Sequence, residues 1–145
     1  MEPFVRNFIR SSLVWLGTGV VLGLWMVIAP MQALIYRPAH MHANLLGFVS
    51  MMIFGVAYHV VPRFTGTPLW SRRLASGHLW VANVGLAAMV AGWMIRPAHS
   101  AGGAALAAGA VVSASGAFMF IGNIWRTLGG PPRAPGAPLR APRSS

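Results

Sequence analysis

Long apolar runs, separated by short clusters rich in Pro, Gly, Arg and His, set the pattern of this chain. Four of them, at residues 13–35, 41–61, 79–95 and 101–125, contain no Arg, Lys, Asp or Glu. A hydrocarbon core takes about 20 apolar residues of helix, so the pattern predicts an all-α membrane protein with four transmembrane helices. The third run is the shortest, and its helix is expected to extend into the flanking residues. Arg6 and Arg10 before the first run leave two readings, a cleavable signal peptide or a retained helix. The run exceeds the about 7–15 apolar residues of a signal sequence, which favours the helix. The connection 62–77, with Pro62, Gly66, Pro68 and Gly77 alongside Phe64 and Trp70, is expected to lie along an interface. Residues 129–145 are mostly Gly, Pro, Arg, Ala and Ser with no apolar period and are expected to be a disordered tail. That leaves 1–128 as one four-helix domain.

A tetrapeptide repeats: Arg37-Pro38-Ala39-His40 and Arg96-Pro97-Ala98-His99. Each falls between two apolar runs. Pro is favoured at the first helical position, so each repeat reads as the start of the second or fourth helix. On the fourth run, Ala101, Ala105, Gly109, Ser113 and Ala117 recur every four residues. This small-residue stripe suits close helix contact, in the bundle interior or at a subunit interface.

Charge then gives a direction. All eleven basic residues are arginine, and nine of them (Arg6, Arg10, Arg63, Arg72, Arg73, Arg126, Arg133, Arg140 and Arg143) fall on one side of the four-span layout. Arg37 and Arg96 fall on the other. The positive-inside rule predicts both termini in the cytoplasm of a bacterial-type inner membrane, with the Arg37 and Arg96 connections outward. Trp70, Trp80 and Trp125 on one side, and Tyr36 and Trp93 on the other, match interfacial aromatic belts. The tail arginines either hold anionic lipid or simply enforce this topology.

Composition narrows the chemistry. The chain is 56% apolar and 8% charged, with formal charge +10, and Glu2 is its one carboxylate. Within one chain that excludes paired-carboxylate catalysis, a Ser-His-Asp triad and an acidic Mg²⁺ site. The absence of Cys excludes disulfides, thiolate haem ligation and covalent c-type haem attachment. With the arginines interrupting apolar runs, the basic balance does not point to nucleic acid.

Histidine is then the main candidate chemistry, because an ionisable group at membrane depth is expensive to leave unpaired. His40 and His42 lie at the head of the second run, His99 precedes the fourth, and His59 and His78 lie toward the opposite side. Two helical residues are about 200° apart, so His40 and His42 face opposite ways. They cannot readily grip one ion from one helix. A polar interhelical contact remains the plain alternative for each histidine, and for His59 and His78 it is the favoured one. Met31, Met41, Met51 and Met52 read as packing rather than as ligands.

The run His40-Met41-His42-Ala43-Asn44-Leu45-Leu46-Gly47-Phe48-Val49 continues through Ile53-Phe54-Gly55-Val56-Ala57-Tyr58-His59 to Val61-Pro62-Arg63. It resembles the second helix of haem-copper oxidase subunit I, on the nitric oxide reductase and C-type oxidase branch. His78-Leu79-Trp80, with Asn83 and Gly85, is similar to the start of the next helix. The resemblance covers residues 36–93. It implies haem b as cofactor and His42 as an axial ligand of its iron. The family subunit has about twelve helices in three arcs of four; the copper site, the adjacent histidine pair, the cross-linked tyrosine and the membrane carboxylates are not recognisable here.

By analogy, the resemblance implies that four-helix chains could form the same ring as a homotrimer. His42 of one copy and His40 of its neighbour would sandwich a haem toward the outer face. Arg96 and Arg37 would meet its propionates, aided by helix N-termini at Pro38 and Pro97, and His99 is a further candidate ligand. The leading expectation is a bis-histidine electron-transfer unit, with an unknown cytochrome or quinone as redox partner, rather than a complete oxidase. The alternatives are a reductase or sensor of nitric oxide or another small ligand with an open haem site, and a haem-free His/Met metal-handling or interaction protein.

Overall fold

A computed structural model describes residues 1–131; the remainder of the expected tail, 132–145, lies outside the described residues. Four helices are each long and apolar enough to cross a membrane. They are α1 (Pro3–Ile28), α2 (Pro30–Phe64), α3 (Arg72–Ile95) and α4 (Ala101–Leu128). They alternate in direction. The upper end holds the α1–α2 and α3–α4 turns, and the lower end holds the N-terminus, the α2–α3 connection and the end of α4.

The first apolar run is not one helix. Its helix starts ten residues earlier than expected, at Pro3, and ends at Ile28. Ala29 has φ −121° and ψ 66°, outside the helical region. Proline disfavours helical geometry in the residue before it, so Pro30 ends α1 and also occupies the first turn of α2. The reading of the Arg-Pro-Ala-His repeats as helix starts is therefore corrected. Pro38 lies inside α2, and Pro97 lies in the turn between Ile95 and Ala101. The helix N-termini at the upper end are at Pro30 and Ala101, so neither repeat proline supplies a positive dipole end.

At 35 residues, α2 is about 52 Å long at about 1.5 Å per residue. Its middle, Ala43–Ser50, winds as a π-helix. Ser50 Oγ donates to the Leu45 carbonyl five residues back (2.9 Å). The third helix begins at Arg72, seven residues before its apolar run, and Ser71 caps it by accepting from the Leu74 amide (3.1 Å). Pro62 is helical, so the connection shrinks to residues 65–71. Its turn uses Gly66 at φ +65°, where a side chain would be strained.

Helices α3 and α4 approach backbone to backbone. A Cβ on Gly109 would stand 2.6 Å from the Met89 nitrogen and 2.7 Å from the Gly85 carbonyl oxygen. One on Gly92 would stand 2.6 Å from the Leu106 nitrogen. The buried small face of α4 is Gly102, Gly109 and Gly116, continued by Asn123. Gly109 belongs to the expected four-residue stripe, but Ala101 is exposed; the contact follows a seven-residue repeat. Of the stripe, Gly109 is buried and Ser113 packs against Gly85 in the bundle interior. On α1, Phe4, Val5, Phe8, Ser12 and Gly19 are buried. The core in the lower half joins Phe4, Val5 and Phe8 to Met51 and Tyr58 of α2 and to Leu79 and Leu86 of α3. At the lower end, Asn123 donates to the Ser71 carbonyl (2.8 Å) and accepts from its amide (3.0 Å).

Candidate haem-ligand site

The upper half of α2 carries the histidines just before its helical hydrogen bonding changes from the α to the π pattern. His40 and His42 both lie on the regular helical turns Pro30–His42, and the expected divergence is present. His40 turns toward α1, its Nδ1 lying 2.8 Å from the Gly19 carbonyl oxygen. Glycines make room there: a Cβ on Gly19 would displace the Asn44 side chain, and one on Gly23 would stand 3.1 Å from His40 Cε1. Asn44 Nδ2 donates to the His40 carbonyl (2.9 Å), bracing the helix at the point where the π-turns begin. His42 turns the other way. Its Nδ1 lies 2.7 Å from the Pro38 carbonyl oxygen, and its ring centroid is 6.5 Å from that of Trp93 on α3.

Both histidines share one chemical consequence. A carbonyl only accepts, so each Nδ1 is the protonated nitrogen and each Nε2 carries the lone pair; that of His42 has no protein partner among the described residues, whereas that of His40 lies 3.5 Å from the Asn44 Nδ2 donor. Metal-ligating histidines are oriented in this way by second-shell carbonyls. The donor set therefore fits iron held by neutral imidazole, one ligand on each side of the helix. Among the described residues no cluster of three or more His or carboxylate side chains gathers to hold a bare ion.

The remaining predicted residues separate. Arg96 places its guanidinium carbon 5.3 Å from the Trp93 ring centroid. Beside it, a cleft of about 380 Å³ is lined by Leu34, Ile35, Pro38, Trp93, Arg96 and Pro97. Trp93 Nε1 is buried without a protein partner. His42, Trp93 and Arg96 thus form one cluster, while His40 lies across α2 against α1. Arg37 is exposed on α2, and His99 is exposed in the α3–α4 turn; neither joins the cluster. His59 is engaged by Arg63, whose Nη1 donates to its carbonyl (2.6 Å) and to its Nδ1 (2.9 Å). His78 is buried in the lower half, with Nδ1 3.1 Å from the Tyr58 hydroxyl. Trp93, Gly19 and Gly23 were not singled out for this site from the sequence. Only the four-residue spacing of the glycines hinted at a groove for a side chain.

No protein-family profile matches the chain. It is 33% identical over 95 residues to the cbb3-type cytochrome c oxidase subunit CcoN1 of Stutzerimonas stutzeri, covering 62% of this chain and 20% of that one. It is 30% identical over 90 residues to cytochrome c oxidase subunit 1 of Rhodobacter capsulatus, 59% of this chain and 17% of the relative. It is 30% identical over 86 residues to cytochrome c oxidase polypeptide 1 of Halobacterium salinarum, 57% and 13% respectively. The chain spans a fifth or less of the length of these relatives. Over about 60% of its length, this multi-span membrane protein is therefore a distant partial homologue of haem-copper oxidase subunit I.

Proposed function

We propose that the protein binds haem b at the upper end of α2 and passes single electrons through it. The observation that carries this reading is the paired geometry of His40 and His42: each Nδ1 is tied to a backbone carbonyl, which puts the basic lone pair on Nε2. Among the described residues that lone pair is unpartnered at His42; at His40 it lies 3.5 Å from Asn44 Nδ2, an amide that haem iron would displace. When bound, haem b supplies a one-electron couple, and two imidazole ligands leave its iron no open position for a gas. His42 would hold the iron on the α3 side of α2. Arg96, stacked on Trp93, would offer its guanidinium to a carboxylate in the cleft that both residues line. Arg37 and His99, exposed near this end, are secondary candidates for the propionates.

His40 faces away from His42, so one chain does not bring both to one iron. The cleft of about 380 Å³ lies near the small end of the about 300–1,000 Å³ range of ligand pockets. A ring of copies in which His42 of one and His40 of the next share a haem meets both constraints, and threefold closure is the arrangement we propose. Arginine distribution supports placing both termini in the cytoplasm and the histidines toward the outer face.

The test uses the full chain purified from membranes. Reduced protein should not bind carbon monoxide readily, and native mass measurement should find haem with three chains. Rapid stoichiometric carbon monoxide binding would instead favour a reductase or sensor of a small ligand, and haem on a monomer would refute ligand sharing.

A further inference from the structure

A second histidine environment lies far from the haem-ligand candidates. At the lower end a cleft of about 400 Å³ is lined by Glu2, Arg63, Thr67 and Arg72, among others, and Tyr58 forms part of its wall. Tyr58 is 3% exposed and His78 fully buried; the phenol oxygen is 3.1 Å from His78 Nδ1. Around the imidazole stand Phe54, Phe8 and Phe120, with ring centroids at 4.7, 4.9 and 5.9 Å. No described side chain or backbone group partners His78 Nε2. A buried polar atom without a partner carries a desolvation cost of about 1–3 kcal/mol, so an imidazole held there by one nitrogen calls for something at the other.

A small void lies on the far side of Phe54 and Ala82, which neighbour His78. The Cδ2 edge of His78, adjacent to Nε2, faces Gly116 on α4, where an added Cβ would lie 3.4 Å away. Three residues before Gly116, Ser113 Oγ is likewise buried without a protein partner. Ser113, Ala82 and Phe54, the ring nearest His78, line a void of about 50 Å³ whose wall does not include His78 itself; it exceeds the about 10–15 Å³ that a water molecule needs.

We infer that Tyr58 and His78 form a proton-accepting site inside the bundle, reached from the lower-end cleft through the Tyr58 hydroxyl and completed at the unpartnered Nε2 by a water molecule. Tyr58 passes its hydroxyl proton to His78 Nδ1, and its oxygen takes a proton from hydronium in the cleft. The products are neutral tyrosine, imidazolium and one water, with no change of oxidation state. The imidazolium Nε2–H then donates to that water. The charged groups at the cleft are Glu2 on the N-terminal side, Arg63 from α2 and Arg72 from α3. Neighbouring His59 is engaged by Arg63, and α1 and α4 present Phe4, Phe8 and Phe120, none titratable. The site stands independently of haem binding.

The experiment follows deuterium exchange at the Cε1 positions of all five histidines by mass spectrometry, across pH, with the full chain in liposomes. His78 should exchange with a sigmoidal pH profile despite its burial. Tyr58→Phe should slow it about fivefold, the effect of one hydrogen bond, and leave His42 unchanged. Failure of His78 to exchange while His99 does, or an unaltered rate in Tyr58→Phe, would overturn the inference. Should Tyr58→Phe loosen the fold, seen as faster exchange at every histidine, wild-type protein labelled with ¹⁵N-histidine decides. Magnetisation transfer from water to His78 Nε2 in solid-state NMR is expected, and its absence refutes the site.

Discussion

Adding one methyl group to the α3–α4 seam should weaken the bundle, and adding it elsewhere on the same helix should not. In Gly109→Ala the new Cβ falls 2.6 Å from the Met89 nitrogen, 2.7 Å from the Gly85 carbonyl oxygen and 2.9 Å from Met89 Cγ. Two of these neighbours are backbone, so relief requires the helices to separate rather than a rotamer to change. Overpacking of this kind costs about 1–3 kcal/mol. Alanine recovers up to about 1 kcal/mol of helix propensity, and less where the denatured state in detergent stays helical. The net loss is about 0–3 kcal/mol, and the difference from a glycine with open space around it is the overpacking cost itself, about 1–3 kcal/mol. At Gly122 a Cβ meets nothing within 4 Å, so Gly122→Ala feels the propensity gain alone and should change stability by less than about 1 kcal/mol in the favourable direction. Equilibrium unfolding in mixed micelles of increasing dodecyl sulfate, followed by tryptophan fluorescence, measures both. A loss of 1.4 kcal/mol corresponds to about a tenfold change in the folding constant. Equal stability of the two variants would refute the close backbone approach that organises this half of the bundle.

Three further outcomes follow from the same geometry. His42→Ala and His40→Ala should each convert low-spin haem to high-spin haem or abolish haem retention, read by visible absorption; unaltered spectra in both would remove them as ligands. Asn123→Ala leaves the Ser71 amide and carbonyl without their buried partner and should destabilise the fold by about 1–3 kcal/mol, measured by the same micelle titration. A reporter fused after Ser145 should be active only in the cytoplasm, as the arginine distribution requires; periplasmic activity would reverse the proposed orientation.

How much of this was legible in the sequence differs from element to element. The four spans were, because hydrocarbon imposes both length and the exclusion of charge. The divergence of His40 and His42 was also legible, since it follows from helical geometry alone. The end of α1 was misplaced because apolar composition runs unbroken through Ala29; the break is local, set by a proline that carries no hydropathy signal. For the same reason Pro38 looked like a helix start, although Pro30 had already taken that position. The π-turns at Ala43–Ser50 had no periodic signature, because one register change in eight residues is too short to shift an apolar pattern. The Tyr58–His78 contact joins two helices, and no spacing along one chain fixes that pairing. Glycines at 85, 92, 102 and 109 were visible as small residues, but their partners were not.

Haem content and spin state of the full chain bear most directly on the central claim. A reduced-minus-oxidised spectrum of the wild-type protein, paired with quantitative haem extraction, should show non-covalent haem b with the sharp absorption bands of a six-coordinate low-spin iron. Protein that is folded, multi-span and free of haem after purification from haem-replete cells, and that does not take up added haem b, would contradict the account.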